Sequence, residues 1–63
     1  MTRREWKAEV MKQLILRDWT IRNLAESVGY SYSHITNALN GGLASRGLFS
    51  DISACLGIEP PTE

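Results

Sequence analysis

Apolar residues recur along this chain at the spacing of helices. Trp6, Val10 and Leu14 fall four apart with Met11 and Ile15 beside them, which predicts a first helix with one wide buried face. Thr2 stands three before Glu5, the spacing of a capping box, and Arg17-Asp18 close the helix. Ile21, Leu24, Ala25 and Val28 repeat the pattern behind Thr20 as N-cap, and Gly29 is placed to end the second helix. Ser31 caps a third, with Ile35, Ala38 and Leu39 facing inward and Gly41-Gly42 as its stop. Trp19 with Leu24, and Tyr30 with Ile35, have the spacing of hydrophobic staples. Ser45 or Arg46 starts a fourth helix, with Phe49, Ile52 and Leu56 on one face, Leu48 and Cys55 flanking, and Gly57 as its end. Pro60-Pro61 then stop any further regular structure.

No segment alternates with period two over strand length, so the expected class is all-α, a compact four-helix orthogonal bundle. Its 63 residues make one domain, 1–63. A domain of this size buries only about 60% of its unfolded surface, so self-association would help it. Cys55 is the single cysteine, which excludes an internal disulfide, and Cys55 with His34 is too few for a zinc site; no cofactor is expected. No apolar run approaches the roughly 20 residues of a membrane span, and no signal-peptide core follows Arg3 and Arg4. The expected setting is the reducing cytoplasm.

Charge changes the picture through its distribution. The net charge is zero, yet residues 1–26 hold six basic against four acidic residues, residues 27–50 hold only Arg46, and the tail holds only Asp51, Glu59 and Glu63. Between Glu26 and Asp51 there is no acid. That neutral stretch contains the third helix, whose outward residues are Tyr32, Ser33, His34, Thr36, Asn37 and Asn40. Hydroxyl, amide and imidazole groups on short arms suit base edges in a major groove, where asparagine can pair with N6 and N7 of adenine. A carboxylate on such a face would meet phosphate instead.

Only Gly29, Tyr30 and Ser31 separate the second and third helices, the spacing of a helix-turn-helix unit at about 20–40. The stretch "TIRNLAESVGYSYSHITNALNGG" resembles the helix-turn-helix of the lambda-repressor-like family, which includes Cro and related phage repressors. Thr20, Leu24-Ala25-Glu26, Gly29, Ser31, Ile35, Ala38 and Asn40-Gly41 carry the resemblance, which covers roughly residues 4–58. "VGY", "TNAL" and "EWKAEV" are most similar to the short Ner-type regulators of transposable phages. The resemblance implies a DNA-binding transcriptional regulator that works as a homodimer on an inverted-repeat operator in double-stranded DNA. Promoter occlusion is the expected outcome and activation the alternative.

By the same resemblance the start of the third helix reads bases, through Tyr32, Ser33, Thr36 and Asn37, and Asn40 contacts phosphate. Thr20, Arg22, His34 and Arg46 are further candidate phosphate contacts, with Arg17 a weaker one, aided by backbone amides at the helix starts. Two positions depart from the family. Ile21 stands where a glutamine commonly binds phosphate and braces the third helix, and Tyr32 where glutamine or arginine is frequent. The family's fifth helix would be absent or a stub.

Blander roles compete for several residues. Trp6 and Trp19 belong on apolar faces and read as core, and Cys55 as a small packed hydrophobe. Arg3, Arg4 and Lys7 read as a solvated helix start, an arm along the DNA backbone being the sharper option. Tyr32 either meets DNA or shields the turn. An enzyme is not expected, because no nucleophile–base–orienter set, metal cluster or phosphate loop is legible. The remaining alternative is a protein-interaction module of the same fold, antitoxin- or antirepressor-like, which the neutral net charge and Ile21 favour.

Overall fold

Each helix begins where its first free N–H groups find a side-chain oxygen. In the computed structural model, which describes residues 1–42 and 44–62, these are α1 (Arg3–Arg17), α2 (Ile21–Val28), α3 (Tyr32–Leu39) and α4 (Arg46–Leu56). Thr2 Oγ1 accepts from the Glu5 N–H at 3.1 Å while the Thr2 N–H donates to Glu5 Oε1 at 2.9 Å, a complete capping box. Thr20 and Asn23 make a second box, at 3.2 and 2.8 Å, in which asparagine replaces the usual glutamate. Ser31 and Ser45 accept from the N–H groups of His34 and Leu48. Among the described residues there is no strand.

The core draws on all four helices: Trp6, Val10 and Leu14 from α1, Leu24 and Ala25 from α2, Ile35, Ala38 and Leu39 from α3, and Leu48, Ile52 and Leu56 from α4. Trp6 is fully enclosed, edge-on to Phe49 with ring centroids 5.0 Å apart. Its indole N–H donates to the hydroxyl of Ser53, itself buried, at 2.9 Å. Trp19 and Tyr30 are half-buried against the same cluster, as their staple positions require, and Cys55 joins it from α4.

Two expectations for the core need correction. Ile15 is 76% exposed, as is its neighbour Leu16 at 69%. One residue is about 100° of rotation on a helix, so Ile15 points well away from Leu14, and no other described helix covers it. On α4, Leu48 is buried and Phe49 only half-buried, the reverse of the expected ranking. Phe49 instead forms a wall between Trp6 and the side chain of Arg3. No stub of a fifth helix follows α4 among the described residues. After Gly57 the chain runs back to the amino terminus, where the Thr62 N–H donates to the Met1 carbonyl at 2.8 Å.

The two ends of α1 tie the molecule together. Arg3 Nη2 donates to the carbonyls of Ala38 and Gly42, each at 2.9 Å, and its guanidinium lies 4.9 Å from the Phe49 ring centre. Arg17 donates to Gln13 and, at 3.4 Å, to the carbonyl of Leu56. Each arginine therefore places positive charge on the carbonyl end of another helix, α3 or α4, where the helix dipole is negative. Arg3 is accordingly not a solvated helix start, and Arg17, though exposed, spans from Gln13 to Leu56. No described helix is long and apolar enough to cross a membrane.

Candidate nucleic-acid interface

The turn between α2 and α3 is set by one carbonyl. Ala25 O accepts from the N–H groups of Gly29 at 2.9 Å and Tyr30 at 3.1 Å, which swings the chain out of α2. Gly29 takes φ 78°, a left-handed value that strains any residue with a Cβ. Ser31 is extended and opens α3 directly. Tyr30 reaches from the turn to α4, where its hydroxyl donates to Asp51 Oδ2 at 3.3 Å. Partial removal from water, and then the negative charge of Asp51, push the Tyr30 hydroxyl pKa upward. The first acid beyond the neutral stretch is thus engaged by the turn.

With Ile35, Ala38 and Leu39 inside, α3 turns Tyr32, Ser33, His34, Asn37 and Asn40 to solvent. Thr36 is half-buried, and its hydroxyl donates to the Ser33 carbonyl at 3.1 Å, so part of its polar capacity is used within the helix. Tyr32 is 45% exposed, with the Arg22 guanidinium 5.2 Å from its ring centre. That stack joins the first turn of α2 to the first residue of α3, beside a shallow groove lined by Ala25, Glu26 and Tyr30. Tyr32 is therefore neither fully free nor simply a lid on the turn.

Apart from His34, the candidate phosphate contacts divide into two groups and one outlier. At the start of α2, the Thr20 hydroxyl caps the helix and donates to Asn23 Oδ1 at 3.0 Å, while Arg22 is held by Tyr32. At the other end of α3, Lys7 Nζ donates to Asn40 Oδ1 at 3.3 Å, bringing α1 beside Asn40. Arg46 is the outlier: it lines a cleft of about 300 Å³ with Phe49, Ser50 and the Pro60–Thr62 tail.

His34 Nδ1 lies 2.8 Å from Ser31 Oγ, and its ring stands edge-on to Tyr30. The three-residue spacing of Ser31 and His34 at the start of α3 accounts for this proximity. Ser31 is occupied as the α3 cap, and no third group orients His34 through a hydrogen bond among the described residues. Nor does any group of three described His, Cys, Asp or Glu residues stand close enough to hold a metal.

Sequence reasoning passed over Asn23 and read Lys7 as solvated. Asn23 completes the cap of α2, a role its place three after Thr20 could have suggested. Lys7 meets Asn40 across 33 residues of chain, and no local spacing announces that contact. What the fold defines is a small four-helix domain carrying one polar, acid-free helix on its surface. Comparison with protein-family models, curated proteins and solved structures found no match.

Proposed function

We propose that the protein is a sequence-specific DNA-binding transcriptional regulator of the lambda-repressor-like, phage or mobile-element type, acting as a repressor from the cytoplasm. Helix α3 enters the major groove, with Ser33, Asn37 and Tyr32 at base edges and Thr36 contributing beside them. Two copies bind an inverted repeat, so that one α3 reads each half-site. The observation that carries this reading is the exposed row of short polar side chains on α3, free of acids from residue 27 to 50 and set beside a three-residue turn. The Arg22–Tyr32 stack supports it further. Half-buried Ile21 cannot brace α3 by hydrogen bonds, and the stack links α2 to α3 one position along.

The test is selection from a random duplex pool at near-physiological salt. The expected result is an enriched inverted repeat with half-sites about 10 bp apart or less. Folded protein that enriches nothing would sink the reading. One observation favours a protein-interaction module instead: Ile15 and Leu16 leave a two-residue apolar patch on α1. Salt separates the two readings, because affinity built on phosphate contacts falls steeply with salt and affinity built on apolar burial does not.

A further inference from the structure

The DNA-binding reading gives Arg46 no task. It is exposed and makes no hydrogen bond or ion pair among the described residues. Arg46 shares a cleft of about 300 Å³ with Phe49 and Ser50 of α4 and with Pro60, Pro61 and Thr62 of the tail. That volume is at the small end of ligand sites, with room for one ring and a short arm rather than for a nucleotide.

The walls of this cleft are fixed in advance. Phe49 is held by the Trp6 ring, 5.0 Å away between centroids, and by the Arg3 guanidinium at 4.9 Å. The tail is stiff for another reason, since Pro60 and Pro61 each have φ locked by their rings. Its end is tied down, because the Thr62 N–H and hydroxyl both donate to the Met1 carbonyl, at 2.8 and 3.0 Å. A site between such walls loses little conformational freedom when it is filled.

The chemistry of the lining has two halves. Phe49, Pro60 and Pro61 offer apolar surface to a flat ring. Arg46 offers a planar guanidinium that can hold a carboxylate through two parallel N–H groups. The Ser50 hydroxyl, exposed and without a hydrogen-bond partner among the described residues, can donate beside it. No acid is among the described lining residues, and Asp51, next along α4, is engaged by the Tyr30 hydroxyl.

We propose that this cleft binds a small aromatic carboxylate, its ring against Phe49 and the two prolines and its carboxylate on Arg46 and Ser50. A bare anion would use Arg46 and leave the apolar walls wet. An uncharged ring would cover the walls and leave the guanidinium unpaired beside it. Only the combination uses both halves. The site is independent of the DNA-binding reading, and no nucleic acid enters its test.

The experiment follows the backbone amide resonances of isotope-labelled protein during titration with phenylacetate, phenylacetamide or acetate, for the parent and for Arg46→Gln. Arg46 is exposed, so the variant should keep its fold, seen as unchanged resonances away from the cleft. In the parent, phenylacetate should give saturable shifts at Ser50 and Thr62 with a Kd of roughly 1–10 mM, the range for a ligand of about ten heavy atoms. Phenylacetamide keeps the ring without the charge and should bind about tenfold more weakly. In Arg46→Gln the acid and the amide should bind alike, a loss of preference that a merely structural role for Arg46 would not produce. The proposal is overturned by any of three results: no saturation by phenylacetate at Ser50 and Thr62, acetate binding as tightly as phenylacetate, or a preference for the acid that survives Arg46→Gln.

Discussion

The indole N–H of Trp6 finds its acceptor in the interior, where the Ser53 hydroxyl lies 2.9 Å away with both groups out of water. Removing that oxygen by Ser53→Ala leaves the donor buried and unpaired. The expected cost is about 1–3 kcal/mol, read as a shift in urea midpoint with unchanged slope. Asn37 is the opposite case, an exposed residue whose side chain makes no hydrogen bond among the described residues. Asn37→Ala should leave the melting temperature close to the parent's. On the selected operator it should cost about 1–3 kcal/mol of binding and relax preference at one base pair. Ser53 reads as polar and Asn37 as polar in the sequence; only one is a surface group.

At the scale of the helix, α1 shows how narrow a buried face is. Leu14 is 2% exposed and Ile15 76%, though they are neighbours and both apolar. Leu14→Ala should cost about 2–5 kcal/mol, whereas Ile15→Gln should stay within about 0.5 kcal/mol, both measured by thermal or denaturant unfolding. The start of the same helix responds to pH. The Thr2 backbone N–H, and then the Thr2 hydroxyl, hold the Glu5 carboxyl pKa below its usual 4.5. A carboxyl lowered in the folded state adds stability above its unfolded pKa and loses it as pH falls through the folded value. Glu5→Gln keeps an acceptor in the capping box but cannot titrate. The parent should therefore lose stability relative to Glu5→Gln as pH drops below about 4.5, and a parallel decline of the two would contradict this account.

For the molecule as a whole, the two ends of α1 make polar ties that its apolar middle cannot. Arg3 and Arg17 reach carbonyls of Ala38, Gly42 and Leu56, residues far along the chain, and so couple the first helix to the exits of α3 and α4. Arg3→Ala frees two carbonyls and removes the stack on Phe49. The expected loss is about 1.5–3 kcal/mol, with α3 amides exchanging hydrogen sooner than those of α2. Arg3→Lys restores the charge but not the guanidinium over the Phe49 ring, and should recover only part of the loss. In a domain this small, long-range ties of this kind supplement a core that is itself limited in size.

The sequence alone determined what lies within about four residues of its cause. Thr2, Thr20, Ser31 and Ser45 open helices because their oxygens reach the N–H three residues on, and Gly29 and Gly57 end helices because a left-handed residue is cheap there. The all-helical class, the number of helices and the outward row on α3 follow from that local chemistry and from apolar spacing. Tertiary structure decided the rest. It exposed Ile15, buried Ser53, turned Arg3 and Arg17 into caps for other helices, and placed Lys7 on Asn40. Those outcomes depend on which helix comes alongside which, and periodicity within one helix is blind to its neighbours.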